Sequence, residues 1–247
     1  MALEKSGTRI GNTAQTTFVP VWATVIPESV DEVCDAVRRS SGRLSVSSAR
    51  YSPDTQFALD GALHLDLSRL NRVLRFEPVD GLIRVQAGIR WHELLRFIQP
   101  HGFAPRTMPE FANFSVGGSV SSNAHGTFVG VGPISHSVRS LRVVLANGNL
   151  VEAGPAGTPD LFSAIVGGMG GIGVIVEVEL ALTLNTRLLR KSLAMPGDQY
   201  VDYFKARIAS DPGAVFHSAD FYPPAFSKLR ATTWVVTDER CTDDQPL

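Results

Sequence analysis

The sequence predicts an α+β protein, in which a small strand-and-helix unit precedes a segment rich in antiparallel strands. Strand patterns surround a single capped helix over residues 21–67, and Asn147-Gly148 lies between two apolar strands. A long β-branched run also covers 173–182. Strands alternating with a helix imply a parallel or mixed sheet, whereas Asn-Gly between apolar strands is the strongest short-range hairpin signal.

A first lobe is predicted over residues 17–74, after a polar N-terminal arm at 1–16. Its helix begins after Ser29, which forms a capping-box pattern with Glu32, and the following apolar residues have helical spacing. The strands are short runs rich in β-branched or alternating apolar residues, at 21–26, 44–47 and 63–67.

A second lobe is predicted over residues 75–185, where antiparallel pairing dominates. Pro159-Asp160 opens a short helix with Thr158 as its N-cap. The other predicted elements are a helix at 91–98 and strands at 82–86, 138–146, 149–153 and 173–182.

Residues 186–247 are predicted to begin a third unit, the start of an α+β domain. Asp198 can cap a helix that carries Val201, Phe204 and Ile208 on one face. Two strands follow, near 214–221 and 229–237. Because the chain then continues as a polar tail, we expect this unit to be incomplete.

Composition excludes several classes of protein. A net charge of −1 without a basic run argues against nucleic acid as the main partner. Cys34 and Cys241 lie far apart and have no clustered His or Cys neighbours, so we expect neither a disulfide framework nor a metal site. The sequence has no signal-like start and no apolar run of membrane-spanning length, which predicts a soluble, cytoplasmic protein.

The stretch from Pro109 to Gly126 combines Gly117-Gly118 with four serines, two asparagines and a His, and carries almost no charge. Adjacent glycines allow the backbone to approach a ligand closely, because no Cβ intervenes. Short donors follow them, at Ser119, Ser121, Ser122 and Asn123. The alternative is a loop that uses its glycines only to turn.

Residues 168–173 match the pattern G-x-G-x-x-G of dinucleotide-binding Rossmann folds. That pattern must follow a strand and open a helix, so that the helix N-terminus meets the pyrophosphate. Here a predicted helix precedes the glycines and a predicted strand follows them. The match is therefore interpreted as a false positive, and the glycines as a close backbone approach to a flat ligand.

Taken together, the segments 45–52, 109–126 and 166–175 resemble the FAD-binding (PCMH-type) domain of the vanillyl-alcohol oxidase/p-cresol methylhydroxylase flavoprotein superfamily. The sequence is most similar to the branch of alditol oxidases, aldonolactone oxidases and decaprenylphosphoryl-ribose oxidases. The resemblance covers about residues 17–185. Further matching motifs lie at 65–72, 133–138, 145–150 and 159–162.

The resemblance implies FAD bound noncovalently between the two lobes, with residues 47–52 as the pyrophosphate-binding turn. Relatives usually have glycines in this turn, so we expect strain if Ser47, Ser48 or Ala49 needs a positive φ. Many relatives also carry a flavin-linking histidine where this sequence has Tyr51. The implied cofactor contacts are Ser47, Ser48, Ala49, Arg50, Tyr51, Ser52, Pro109, Ser115, Gly117, Gly118, Ser121, Ser122, His125, Gly126, Gly173 and Ile175.

The implied activity is oxidation of an alcohol carbon in a sugar, polyol or similar hydroxylated small molecule. Hydride passes to the flavin and then to oxygen or another acceptor. His125 matches a histidine near the flavin ring and is the candidate catalytic residue, although a hydrogen-bonded loop histidine is an equal interpretation. Residues 186–247 would begin the substrate cap.

Two alternatives remain open at this stage. The chain could be an FAD-binding fragment or subunit that is inactive without a C-terminal part or a partner chain, and that self-associates through exposed apolar surface. The early end of the sequence favours this hypothesis for the isolated chain, which we then expect to show no alcohol-dependent flavin reduction. A more remote alternative is a reductase such as the UDP-N-acetylmuramate-forming enzyme, which shares the FAD domain.

Overall fold

The structure, a computed structural model, describes residues 3–4, 8–240 and 242. Its strands are β1 Leu3–Glu4, β2 Arg9–Gly11, β3 Phe18–Pro20, β4 Ala23–Val25, β5 Leu44–Ser47, β6 Leu63–Asp66, β7 Val73–Glu77, β8 Leu82–Gln86, β9 Phe103–Pro105, β10 Val138–Leu145, β11 Leu150–Ala153, β12 Gly173–Leu184, β13 Leu188–Pro196, β14 Ala214–Phe221 and β15 Lys228–Val236. Its α-helices are α1 Val30–Arg39, α2 Trp91–Ile98, α3 Val116–Ser121, α4 Pro159–Ile165 and α5 Tyr200–Arg207.

The first sheet has the strand order β1-β4-β6-β5. The pairs β4–β6 and β5–β6 are parallel, and β1 joins the edge antiparallel, so of the predicted parallel or mixed sheet the mixed form is present. The α1 helix begins as expected, because the Ser29 hydroxyl accepts from the backbone N–H of Glu32 at 3.2 Å. Within the stretch predicted as an arm, Arg9–Gly11 forms β2 and pairs with β3.

The second sheet is antiparallel, with the order β11-β10-β12-β8-β7, and β9 pairs with the end of β12. The Asn147-Gly148 hairpin between β10 and β11 is confirmed, with Gly148 at a φ of +78°. Strand β7 was not predicted. Its signal is Asp80-Gly81, with Gly81 at a φ of +63°, because Asp-Gly between two strands also favours a hairpin.

The second sheet is covered on both faces. On one face, a buried cluster joins β10 and β12 to α1 and the first sheet, through Val144, Val174 and Val176. On the other face, Ile175 and Val178 belong to the core that α2, α3 and α4 complete. Val174, Ile175 and Val176 thus alternate between the two cores, and the register shift between the pairs Val143–Ile175 and Arg142–Glu177 returns Val178 to the core that Ile175 enters. Helix α1 is thereby held between the two sheets.

Residues of the predicted first and second lobes meet closely at Ala87-Gly88, directly after β8. The Gly88 N–H donates to the Leu70 carbonyl of the first lobe at 2.8 Å. The Ala87 N–H donates to Val176 of β12 at 2.9 Å, and the Ala87 carbonyl accepts from Gly117 at 2.8 Å. A Cβ on Gly88 would lie 2.0 Å from the Leu67 carbonyl oxygen. The junction therefore requires glycine for close backbone contact.

The third sheet has the order β13-β15-β14, and its edge strand β14 reaches the second lobe. The N–H of His217 donates to the Thr127 carbonyl, and that of Val129 to the Val215 carbonyl, each at 2.9 Å. The Phe128 and Phe216 rings meet edge to face at 4.6 Å between centroids. These contacts fix the segment that follows His125.

The helix predicted after Asp198 begins later than expected. Asp198 lies in a 3₁₀ turn over Gly197–Gln199, and α5 begins at Tyr200 with Gln199 at the N-cap. Thr158 does occupy the N-cap of α4, but its hydroxyl accepts from the Gly154 N–H instead of a helical one.

The part of the chain that the structure describes contains no helix long and apolar enough to cross a membrane. Nor do its residues form a cluster of three or more His, Cys, Asp or Glu side chains that could hold a metal ion. Cys34 is buried and free, whereas Cys241 lies outside the described residues.

We expect Gly88→Ala to lower the free energy of unfolding by about 3 kcal/mol or more, because the added methyl group has only rigid backbone against it. Gly157→Ala is the matched control, since nothing lies within 4 Å of the position that a Cβ would take there. Urea unfolding followed by circular dichroism measures both. Equal stability of the two variants would contradict the close contact at the junction.

Candidate cofactor site

A cavity of about 790 Å³ opens between the first sheet and the second lobe. Its walls come from residues of 44–59 in the first lobe and from residues of 114–124 and 169–175 in the second. Ala87 and Leu67, at the junction of the lobes, also contribute. A volume of this size is in the range of small-molecule and cofactor sites.

Most residues predicted to contact the cofactor line this one cavity. They are Ser47, Ser48, Ala49, Arg50, Tyr51, Ser52, Ser115, Gly117, Gly118, Ser121, Ser122, Gly173 and Ile175. Among the described residues, Pro109, His125 and Gly126 were predicted with them but are not in the lining. His125 is exposed, and its Nδ1 lies 3.4 Å from the Gly126 carbonyl oxygen.

The two adjacent glycines of the central stretch have different roles. A Cβ on Gly117 would lie 2.6 Å from the Cβ of Ala87, so this glycine permits close packing within the protein. A Cβ on Gly118 would meet only the Ser115 hydroxyl oxygen within 4 Å, at 2.9 Å. Gly118 is therefore the glycine whose missing side chain leaves room on the cavity wall.

The central stretch forms a short helix, α3, and several of its polar groups are used internally. Ser115 caps the helix by accepting from the Gly118 N–H at 3.3 Å. The Ser119 hydroxyl donates to the Ser115 carbonyl and accepts from the indole N–H of Trp91, both at 2.9 Å. Asn123 accepts from the Ser135 N–H. Ser119 and Asn123, which the sequence offered as ligand donors, therefore hold the fold together.

The glycine-rich segment at 167–173 is docked on the end of α3. Gly167 donates its N–H to Val120 at 3.1 Å, and Met169 donates to Ser121 at 3.0 Å. Gly167 and Gly170 have φ values of +77° and +82°. Helix α4 precedes this segment and strand β12 follows it, so the rejection of a Rossmann site is confirmed.

In the turn at 47–52, the left-handed conformation falls on Arg50, whose φ is +53°. Neither Ser47, Ser48 nor Ala49 has a positive φ in the described chain, so the expected strain does not arise at these positions. Two contacts hold the turn: Thr13 donates its N–H to the Arg50 carbonyl at 3.0 Å, and the Ser48 hydroxyl donates to the Gly88 carbonyl at 3.3 Å.

The charge of the cavity lining suits an anion. Arg50 is the one charged side chain among the described residues that line it. Its guanidinium lies 3.5 Å from the Asp66 carboxylate, which also caps a 3₁₀ turn by accepting from the Ser68 N–H. The remaining polar wall consists of hydroxyl, amide and backbone groups, which can donate to phosphate oxygens.

Tyr51 extends the lining with an aromatic group. Its ring centroid lies 5.3 Å from that of Phe114, and Phe114 lies 5.7 Å from the exposed Phe111. These three rings form a partly exposed apolar wall, against which a flat ring system could pack.

Sequence reasoning missed His64, which is fully buried in β6 beneath the turn. Its Nδ1 lies 2.9 Å from the Ser45 hydroxyl, and its Nε2 lies 2.9 Å from the Ser47 hydroxyl. Burial lowers the pKa of His64 to about 4; the charge of Arg50 acts in the same direction, and that of Asp66 opposes it. The signal in the sequence was the alternation of Leu63-His64-Leu65-Asp66, which places His64 and Asp66 on one face of the strand. This strand is paired in parallel on both sides, where buried strands are the rule.

Comparison with known proteins adds a family to this geometry. Residues 22–154, more than half of the chain, match the family described as FAD binding domain. The chain is 31% identical over 158 residues to an alditol oxidase from Streptomyces sp.. It is 30% identical over 178 residues to a decaprenylphosphoryl-beta-D-ribose oxidase from Mycolicibacterium smegmatis. It is 28% identical over 193 residues to L-galactono-1,4-lactone dehydrogenase 2, mitochondrial, from Oryza sativa.

These alignments cover 63%, 70% and 77% of this chain, respectively. They cover only 37%, 38% and 33% of the three relatives, so the chain spans little more than a third of their length. The alignments therefore support a relationship of the domain that these residues form, and they do not extend to the rest of the relatives.

We expect the free energy of unfolding to fall by up to about 3 kcal/mol as the pH decreases from 6.5 towards 4, through His64 alone. The unfolded histidine takes up its proton near pH 6.5 and the folded one near 4, so acid favours the unfolded state over this interval. His64→Gln should lack this component. Urea unfolding at several pH values measures the difference between the unchanged chain and His64→Gln. His217 is present in both proteins, so its contribution cancels in this difference. Parallel pH profiles would contradict the buried neutral state.

Proposed function

Since this chain belongs to the FAD binding domain family, we propose that FAD binds in the cavity between its two lobes. The proposal extends to the whole protein, which oxidises an alcohol carbon of a sugar, polyol or similar hydroxylated molecule. The observation that carries it is the cavity itself, whose lining combines one arginine with uncharged polar groups and aromatic rings.

The residues present fit the cofactor. A diphosphate requires positive charge and hydrogen-bond donors, and the turn at 47–52 supplies Arg50 and the hydroxyls of Ser47 and Ser52. A flat ring requires a wall without protruding side chains, which Gly118 and Gly170 provide. No carboxylate occurs among the described lining residues to repel the phosphates.

In this arrangement, the turn at 47–52 would hold the diphosphate, and the backbone of Ile175 would bind the adenine. The glycine-rich segment and α3 would form the wall beside the ribityl chain and the ring. The family pattern also implies cofactor contacts at Pro109 and Gly126. Like His125, these two residues are not among those that line the cavity. We place the substrate on the side of His125, near the third sheet.

Bound FAD supplies the acceptor for a hydride from the alcohol carbon. The chain's task is to orient the alcohol, exclude water and take up the hydroxyl proton. His125 is the candidate for the proton, because it follows the lining directly and its segment is held by β14. Anaerobic addition of a polyol or a sugar lactone, followed by flavin absorbance, tests the oxidation.

Names of the relatives include oxidases and a dehydrogenase, which leaves both oxygen and another molecule as candidate electron acceptors. The third sheet, at Leu188–Val236, is the candidate beginning of a substrate cap, because its edge strand contacts the segment that follows His125.

We expect Gly118→Val to abolish FAD binding while the apoprotein remains folded. The valine side chain would project into the cavity, whereas a helix tolerates valine at least as well as glycine. Gly157→Val is the control, since its side chain meets open space. Titration of FAD, followed by flavin fluorescence, measures the affinity, and circular dichroism measures folding. Normal FAD binding by Gly118→Val would place the cofactor elsewhere.

We expect the flavin to be released by acid precipitation, because Tyr51 stands where many relatives carry the linking histidine. The yellow colour should then appear in the supernatant. Colour that stays in the protein pellet would show that another residue forms a covalent bond with the flavin. Absorbance of both fractions at the flavin maximum provides the measurement.

A further inference from the structure

A histidine lies between two serine hydroxyls on the buried polar face of the first sheet. Strand β6 is central, and its parallel register with β5 places Ser45 opposite His64 and Ser47 opposite Asp66. Both ring nitrogens of His64 are 2.9 Å from a hydroxyl, and both serines line the cavity. The polar face of the sheet is therefore connected directly to the proposed phosphate-binding turn.

A neutral imidazole makes these two serines unequal. One ring nitrogen carries a hydrogen and donates it, and the other accepts. The serine that accepts keeps its own hydrogen free to donate elsewhere, whereas the other serine uses its hydrogen on the ring. The charged groups near the ring are Arg50 and Asp66, and the low pKa of about 4 keeps His64 neutral near pH 7.

We propose that His64 is a positioning residue whose Nε2–H donates to Ser47, so that the Ser47 hydroxyl hydrogen is directed to a phosphate oxygen of FAD. Ser47 ends β5, leads into the turn that carries Arg50, and is less buried than Ser45. In this tautomer Ser45 donates to Nδ1, which satisfies its hydroxyl inside the protein. The inference rests on the proposed placement of FAD in this cavity.

Amide variants separate the two nitrogens. The side-chain nitrogen of His64→Gln can take the place of Nε2 and still donate to Ser47, whereas His64→Asn is shorter and reaches only towards Ser45. We expect His64→Gln and Ser45→Ala to bind FAD within about threefold of the unchanged chain. We expect His64→Asn and Ser47→Ala to bind about tenfold more weakly or worse, because Ser47→Ala removes the hydrogen bond to the charged phosphate and His64→Asn removes the donor that directs it.

The experiment measures FAD affinity of the apoprotein by flavin fluorescence, and ADP affinity by competition, with melting curves to confirm folding. The double variant His64→Asn/Ser47→Ala should bind FAD no more weakly than Ser47→Ala, because His64 acts through Ser47. ADP affinity should fall by the same factor as FAD affinity. Additive losses, or a loss in Ser45→Ala with none in Ser47→Ala, would overturn the proposal. If the unchanged chain fails to bind FAD, the proposed function itself fails, which is a distinct result.

Discussion

The close backbone contact at Ala87-Gly88 is the constraint on which the rest of the structure depends. Its hydrogen bonds reach the first lobe at Leu70, the second sheet at Val176 and helix α3 at Gly117. Ser48 of the turn also donates to the Gly88 carbonyl. Because backbone meets backbone here, covalent geometry and hydrogen bonds set the distance between the two cavity walls at this point.

The first sheet has two unlike faces, and the difference explains how a small parallel sheet can build a binding site. Its apolar face packs against α1 in a cluster that includes Val25 and Leu65. Its other face buries His64, which is paired with the Ser45 and Ser47 hydroxyls, and Asp66, which accepts from the Ser68 N–H. Buried polar groups require such partners, so the hydroxyls beneath the turn are held in defined places.

The third sheet contacts the region next to the site through its edge strand β14. Hydrogen bonds from β14 and the Phe128–Phe216 contact hold the segment after His125. This segment lies outside the cavity lining, whereas the turn at 47–52 and α3 are fixed by the junction of the lobes. The walls proposed for the cofactor and the region proposed for the substrate are therefore supported by different parts of the chain.

The sequence by itself determined the α+β class, the main strands, the hairpin at Asn147-Gly148 and the three segments that supply most of the cavity lining, because these follow from local periodicity, turn chemistry and motif. Tertiary structure decided which polar groups are used in internal hydrogen bonds and which can contact a ligand. Ser119 has the same composition signal as Ser121, yet Trp91 and the Ser115 carbonyl occupy its hydroxyl. Likewise, Gly117 faces Ala87 and Gly118 does not, and His64 meets Ser45 and Ser47 only through the register of parallel strands. Such pairings join residues distant in sequence, so no local pattern can specify them.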